Sequence, residues 1–219
     1  MSIIDTLLAR ITPYNCLGCN AEGGLLCAAC TQTLKTAPDR CYRCYAPTLH
    51  SQTCTSCAPG SALHAVRVAT VYDGIAKDLL WLLKSSGTQG ATEQMARMMQ
   101  PLVGAEVLIV HVPTATSRVR QRGYDQARLL ARKLAHDCGL PYATLLARSG
   151  QAHQVGASRT ERLTQLTGAF HVRHAWQVRG AHILLVDDVL TTGASFEAAA
   201  RVLLDAGAAR VDAIAFARA

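Results

Sequence analysis

Thirteen residues, Ile183–Ser195, constrain this chain more than any other stretch; they read ILLVDDVLTTGAS. Four apolar residues run into two adjacent acids, Asp187 and Asp188, and a small polar turn follows. The next segment carries Phe196, Ala199, Ala200 and Leu203 at helical spacing. A short continuous apolar run suits a strand buried on both faces, and the change to an i, i+3, i+4, i+7 pattern marks a helix. The acids then sit at the carboxyl end of a buried strand, where open α/β sheets bind their ligands. The turn after them feeds a helix N-terminus, whose free N–H groups and positive dipole end suit a phosphate. Acids for sugar hydroxyls followed by a phosphate cradle match the chemistry of a phosphorylated ribose. Two bare charges beside a buried strand would otherwise be costly.

Cysteine usage is the second constraint. Eight of the nine cysteines lie between Cys16 and Cys57, as four C-x-x-C pairs: Cys16/Cys19, Cys27/Cys30, Cys41/Cys44 and Cys54/Cys57. A C-x-x-C turn aims both sulfurs at one ion, and two turns complete a tetrahedral zinc site. Eight thiolates make two sites. The spacers hold glycine, proline and few core formers, so a segment of about 45 residues depends on metal to fold. The Met1–Pro13 start shows no secretory pattern, because Asp5 and Arg10 interrupt the apolar run, and no run approaches membrane-spanning length. This favours metal ligands over disulfides and a cytoplasmic location. The expected grouping is sequential, with Cys16, Cys19, Cys27 and Cys30 on one zinc and Cys41, Cys44, Cys54 and Cys57 on the other. Spacing alone leaves an interleaved grouping open. Tyr42 and Tyr45 beside the third pair either cover the small metal core or offer rings to a base.

The formal charge of +7 is unevenly placed. Between Arg118 and Arg179 eleven Arg or Lys face three acids, a local +8, so the rest of the chain sums to −1. This points to a polyanionic partner. Arg118, Arg120 and Arg122 alternate, which places them on one side of an extended segment. Gly123 permits a turn into a helix whose buried stripe is Ala127, Leu130, Ala131 and Leu134, with Arg128 and Arg132 off that stripe. Guanidinium groups grip phosphate in bidentate fashion, so the cluster suits a pyrophosphate or a nucleic-acid backbone.

Elsewhere, Ser2 and Asp5 open an N-terminal helix over 1–13. A strand near Val66–Tyr72, helices over Gly74–Lys84 and Thr92–Val103, and a buried strand Val107–Val110 follow. Ser158–Glu161 opens a short helix carrying Arg159 and Arg162. Gly207 stops the helix after the central turn, and Val211–Arg218 is the last strand. His111 reads as a satisfied core or loop histidine, and Cys138 has no assigned role.

The stretch Ile183–Ser195 closely resembles the phosphoribosyl-pyrophosphate (PRPP) loop of type I phosphoribosyltransferases. That resemblance implies Asp187 and Asp188 on the ribose hydroxyls, and Thr191, Thr192, Gly193, Ala194 and Ser195 around the 5′-phosphate. It also implies a pyrophosphate loop at Pro113, Thr114, Ala115 and Thr116, after the preceding strand. Nearly the whole chain resembles the ComF family of ComFC- and GntX-like bacterial proteins. The resemblance rests on the four knuckles, Val112-Pro113, RGYDQARLLA from Arg122, Gln154…Glu161-Arg162…Gly168-Ala169-Phe170, and LLVDDVLTTGAS. Where that family usually has Phe-Asn, this chain has Tyr124-Asp125.

The resemblance implies an α/β fold: a type I phosphoribosyltransferase-like parallel sheet flanked by helices, with a small N-terminal double zinc ribbon. The expected division is a helix over 1–13, ribbons over 14–60 and the transferase-like domain over 61–219. The implied function is cytoplasmic handling of single-stranded DNA during natural transformation or DNA uptake. PRPP with Mg²⁺ would occupy the central site, two structural Zn²⁺ the ribbons. DNA would lie on Arg118, Arg120, Arg122, Tyr124, Arg128, Arg132, Arg159 and Arg162, with an uptake helicase or recombination mediator as a further partner. Two alternatives stay open: an active salvage phosphoribosyltransferase, and a PRPP-sensing module that docks a helicase. The sequence does not decide whether PRPP is turned over.

Overall fold

The computed structural model describes residues 14–105, 107–148 and 168–219. The expected helices over 1–13 and after Ser158, with Arg159 and Arg162, lie outside these. The frame is a four-stranded, all-parallel sheet. In chain order its strands are β1 (Val66–Val71), β2 (Leu108–His111), β5 (His182–Leu190) and β6 (Arg210–Arg218), with spatial order β1-β6-β5-β2. Between β2 and β5 a small antiparallel pair forms, β3 (Leu146–Arg148) with β4 (Phe170–Val172). The helices are α1 (Ala28–Gln32), α2 (Gly74–Ser86), α3 (Gln89–Met99), α4 (Thr116–Arg122), α5 (Gln126–Cys138) and α6 (Ala194–Asp205).

The apolar run of β5 is divided by strand alternation. Ile183 and Leu185 enter a core with Phe196, Ala199, Ala200 and Leu203 of α6, while Leu184 and Val186 enter a second core with α2, α3 and α5. A parallel sheet covered on both faces needs such continuous apolar strands. The same alternation sends Asp187 and Asp188 towards opposite sides of one strand end. α5 buries the expected stripe Ala127, Leu130, Ala131 and Leu134; Asp125 caps its start and left-handed Gly139 ends it.

Two local expectations are corrected. Arg118–Arg122 is not extended: Thr116–Arg122 forms helix α4, closed by a bond from Gly123 N–H to the Val119 carbonyl. At 3.6 residues per turn Arg118 and Arg122 share a face and Arg120 points away from them. The second helix begins at Gln89, not Thr92, and ends at Met99 before a 3-10 turn that holds Pro101.

The cysteine-rich segment straddles the sheet. Leu25 and Leu26 of its first half join the core on the α2–α3 side, and Tyr42 and Leu63 join the core on the α6 side. Single bridges at Thr36–Thr70 and Gln52–Ala65 tie it to the start and end of β1. Among the described residues no helix is long and apolar enough to cross a membrane.

Candidate functional site

A cavity of about 420 Å³ opens at the carboxyl end of the sheet, lined among others by Lys84, Thr114, Arg118, Arg148, Asp187 and Asp188. β5 supplies its acids. Asp187 is held well above the usual carboxylate range by burial and then by the charge of Asp188; its Oδ1 accepts the Asp188 N–H at 2.8 Å. Asp188 is 6% exposed. The ammonium of Lys84, in the last turn of α2, lies 3.1 Å from its Oδ2. That contact is an ion pair without hydrogen-bond alignment, so Oδ2 remains a buried acceptor without a donor. An acid pair this enclosed, with one cation beside it, fits hydroxyl donors or a divalent cation.

Gly193 adopts a left-handed φ of +79° and caps α6, with no side-chain cap at that helix start. The Thr192 hydroxyl accepts the Ala194 N–H at 3.3 Å. Thr191 and Ser195 line the cavity. The strand, acids, turn and helix start thus lie in the arrangement read from the sequence.

Pro113–Thr116 follows β2, and Pro113, Thr114 and Ala115 line the same cavity. Asp125 pins this loop: its carboxylate accepts the Thr114 N–H at 3.0 Å, the Thr114 hydroxyl at 2.9 Å and the Arg128 N–H at 3.2 Å. One side chain therefore ties the loop to the start of α5. Across from it stands Arg148 on β3, its ring-facing guanidinium 5.4 Å from the Phe170 centroid. Burial and then the charge of Arg118 lower the proton affinity of Arg148, so two crowded cations form one wall. No sequence motif marks Lys84 or Arg148. They come from separate elements, and no local pattern joins them to the acids.

The basic residues predicted for a polyanion are split by α4. Arg118 turns into the cavity, and Arg122 buries its Nη1 without a hydrogen-bond partner. Tyr124 is half-buried; its hydroxyl donates to the Leu83 carbonyl at 2.7 Å, and its ring packs against Gly87. Arg120, Arg128 and Arg132 are exposed and make no ion pair among the described residues.

Both cysteine groups are sequential: Cys16, Cys19, Cys27 and Cys30 form one, Cys41, Cys44, Cys54 and Cys57 the other, with all sulfurs of a group within 4.8 Å of one another. Cys19 and Cys27 sulfurs are 3.8 Å apart, Cys44 and Cys54 3.5 Å. Sulfurs about 2.3 Å from a tetrahedral zinc lie about 3.8 Å from each other, so both groups fit that ion. Backbone N–H groups, that of Cys27 foremost, lower the Cys16 thiol to about 6. Burial raises the Cys41 thiol, but the N–H groups of Cys44, Cys54 and Arg43 outweigh it and bring it to about 6. Each group thus holds a thiolate ready for a metal.

The two knuckle tyrosines part ways. Tyr42 is 4% exposed and packs into the α6 core, whereas Tyr45 is half-exposed between the guanidinium groups of Arg40 and Arg218, 4.8 and 4.5 Å from its centroid. The Tyr42 hydroxyl donates to Glu197 Oε2 at 2.5 Å and lies 2.7 Å from the Ser61 hydroxyl. Glu197 stands in the first turn of α6, and its other oxygen accepts the Ala62 N–H at 2.9 Å.

The sequence is similar to those of known proteins. The family model described as "Phosphoribosyl transferase domain" matches residues 119–219. "DNA utilization protein YhgH" of Salmonella typhimurium is 30% identical over 200 residues, covering 85% of this chain and 87% of that protein. Its namesake in Escherichia coli K12 is 28% identical over the same span. "Competence protein ComFC" of Bacillus subtilis is 35% identical over 102 residues, covering 47% of this chain and 40% of that one. Among solved structures, a glutamine PRPP amidotransferase from B. subtilis overlays 56% of this chain and 25% of its own, at 18% identity and a TM-score of 0.38.

Proposed function

Because the chain belongs to the ComF family of YhgH- and ComFC-type proteins with a phosphoribosyltransferase-like fold, we propose that it handles single-stranded DNA and binds PRPP on one scaffold. The observation that carries this reading is a convergence. The Asp187–Asp188 pair, the Thr191–Ser195 turn, the Pro113–Thr116 loop and two arginines meet at one cavity, beside exposed arginines of α4 and α5 that make no ion pair among the described residues. In it, Asp187 and Asp188 take the ribose hydroxyls, and Thr191–Ser195 take the 5′-phosphate. Arg118 and Arg148 face the pyrophosphate. Magnesium bound with the ligand would neutralise pyrophosphate charge.

Arg120, Arg128 and Arg132 present the outer polyanion surface, with Arg159 and Arg162 as further candidates. Neither knuckle tyrosine offers a free ring face to a base, because Tyr42 is buried and Tyr45 is flanked by Arg40 and Arg218. Zinc in each cysteine group holds residues 14–60, ahead of a transferase-like domain over 61–219.

The test is fluorescence anisotropy of a labelled single-stranded oligonucleotide with zinc-loaded protein, with and without PRPP–Mg²⁺, at several salt concentrations. Binding should weaken steeply with salt. Changing Arg120, Arg128 and Arg132 to Ala should lower the slope of log K against log salt by about 2, at about 0.7 per single-strand phosphate contact. No binding at low salt overturns direct DNA handling.

A second reading, a salvage phosphoribosyltransferase, is favoured by the complete acid pair and turn. Pyrophosphate release on adding a free base would establish it. A helicase-docking module would instead show capture that needs the ribbons but not the three arginines.

A further inference from the structure

The two cysteine groups differ in what they touch. The first packs on the α2–α3 side, where Leu25 lies against Gly90 and Ile75 against Gly18. The second reaches the turn that follows the paired acids. Tyr42, the residue after Cys41, lays its ring against Gly193, so closely that a Cβ there would lie 2.7 Å from Tyr42 Cδ2. Gly193 is also the left-handed pivot between Thr192 and α6. The Tyr42 hydroxyl then holds Glu197 one turn further on, and the Glu197 carboxylate returns to the backbone of Ala62. From the sheet, Arg218 Nη2 donates to the Tyr42 carbonyl at 3.3 Å. The pivot and first turn of α6 are thus clamped from behind by the second ribbon, although no residue of 14–60 lines the cavity.

We propose that Tyr42 and Glu197 are positioning residues of the phosphate-binding turn, so that the second cysteine group, and not the first, is coupled to ligand binding in the cavity. This rests on the phosphoribose reading above. The cause is mechanical. A ring fixed at its root by a metal-held knuckle and at its tip by Glu197 leaves Gly193 one resting place. If the second group loses its metal, root and backing are lost together, and the turn is free to leave the geometry that receives a phosphate. Coupling between binding sites is reciprocal, so a ligand in the cavity must also hold metal in the second group. The first group's contacts at Ile75 and Gly90 reach neither Gly193 nor Glu197.

Zinc release tests this on the intact, zinc-loaded protein. Excess chromogenic chelator is added with and without saturating PRPP–Mg²⁺, with direct calorimetry of PRPP–Mg²⁺ alongside. Two release phases are expected, and PRPP should slow one of them about tenfold while leaving the other. Tyr42→Phe keeps the ring in the core but removes the hydroxyl bond. It should weaken PRPP binding about five- to tenfold and abolish the protection, with zinc content and fold retained. Cys57→Ser should weaken PRPP binding; Cys19→Ser should not.

If PRPP binds but slows neither phase, or slows both equally, the coupling is wrong while the phosphoribose reading stands. Unchanged PRPP affinity in Tyr42→Phe, with the protection also intact, overturns the role of the clamp. If the wild-type protein does not bind PRPP at all, the phosphoribose reading fails and the coupling fails with it.

Discussion

Replacing Asp125 with alanine should both destabilise the protein and loosen the loop after β2. Its carboxylate makes three bonds: to Arg128 N–H as the cap of α5, and to the N–H and hydroxyl of Thr114. Losing a helix cap costs about 1 kcal/mol. An unpaired N–H costs about 1–3 kcal/mol when buried. Thr114 is only half-buried, so water recovers part of that and the lower end applies. With the Thr114 hydroxyl bond, which adds about 0.5–1 kcal/mol, the total comes to about 2–3 kcal/mol. For a chain of this size each kcal/mol moves Tm by about 2–4 °C, so a drop of about 4–12 °C is expected. Thermal unfolding of the zinc-loaded protein reads the stability, and calorimetry with PRPP–Mg²⁺ reads the loop. Asp125→Asn should fall between, because one acceptor oxygen cannot serve both Thr114 N–H and Arg128 N–H. A change below about 0.5 kcal/mol for Asp125→Ala would refute the cap and loop bonds. A full loss of stability with unchanged PRPP affinity would refute the loop's part in the site.

Three other outcomes follow from the geometry. His111 is buried with Nδ1 3.0 Å from the Tyr142 hydroxyl; burial lowers its pKa, Asp125 opposes the shift and Arg128 adds to it. A histidine whose folded pKa is depressed is protonated first in the unfolded chain, so its contribution to stability is lost as pH falls from about 6.5 through the folded value. His111→Gln should therefore flatten the stability–pH curve below about pH 6.5, and an unchanged slope in urea titrations would refute it. Lys84→Met leaves the Asp188 carboxylate without its cation. Breaking a buried pair costs about 3–5 kcal/mol, but the Lys84 side chain is 32% exposed, so about 1–2 kcal/mol is expected in chemical denaturation. Stripping metal with a chelator should unfold residues 14–60, seen as new proteolytic cleavage there before any in the sheet.

The central strand, acids and turn were legible because the pattern is local: an apolar run, a charge pair and a switch of period within one stretch. The stripe of α5 and the four cysteine pairs were legible for the same reason, whereas the grouping of the pairs needed the structure. Arg118–Arg122 misled because charges at alternate positions imitate a strand, whereas the closing bond to left-handed Gly123 makes it a helix. Lys84 and Arg148 carry no sequence mark. One ends an ordinary amphipathic helix and the other sits on a three-residue strand, and only tertiary packing brings both to the acids. The Tyr42–Glu197 bond spans 155 positions, and nothing in a C-x-x-C knuckle announces its partner.

The charges of the cavity explain why these unmarked residues matter. Two carboxylates alone would repel a sugar phosphate, and cations alone would take any anion. Here each sign is grouped, although Lys84 stands against Asp188 and Arg148 feels the charge of Asp187. At one end Asp187 and Asp188 crowd each other, so that burial and like charge raise Asp187, while Lys84 stands against Asp188. At the other, Arg118 and Arg148 crowd, and Arg148 is depressed by burial and by its neighbour. Each end is unfavourable in the free protein, and each is relieved by the opposite kind of group. A molecule with hydroxyls at one end and an anionic group at the other relieves both in one orientation only. Reversed, it would set anion against carboxylate and leave the guanidinium groups crowded. Under the proposed phosphoribose reading this grouping of charges favours one orientation of the ligand, with Lys84 beside the acids and Arg148 beside Arg118.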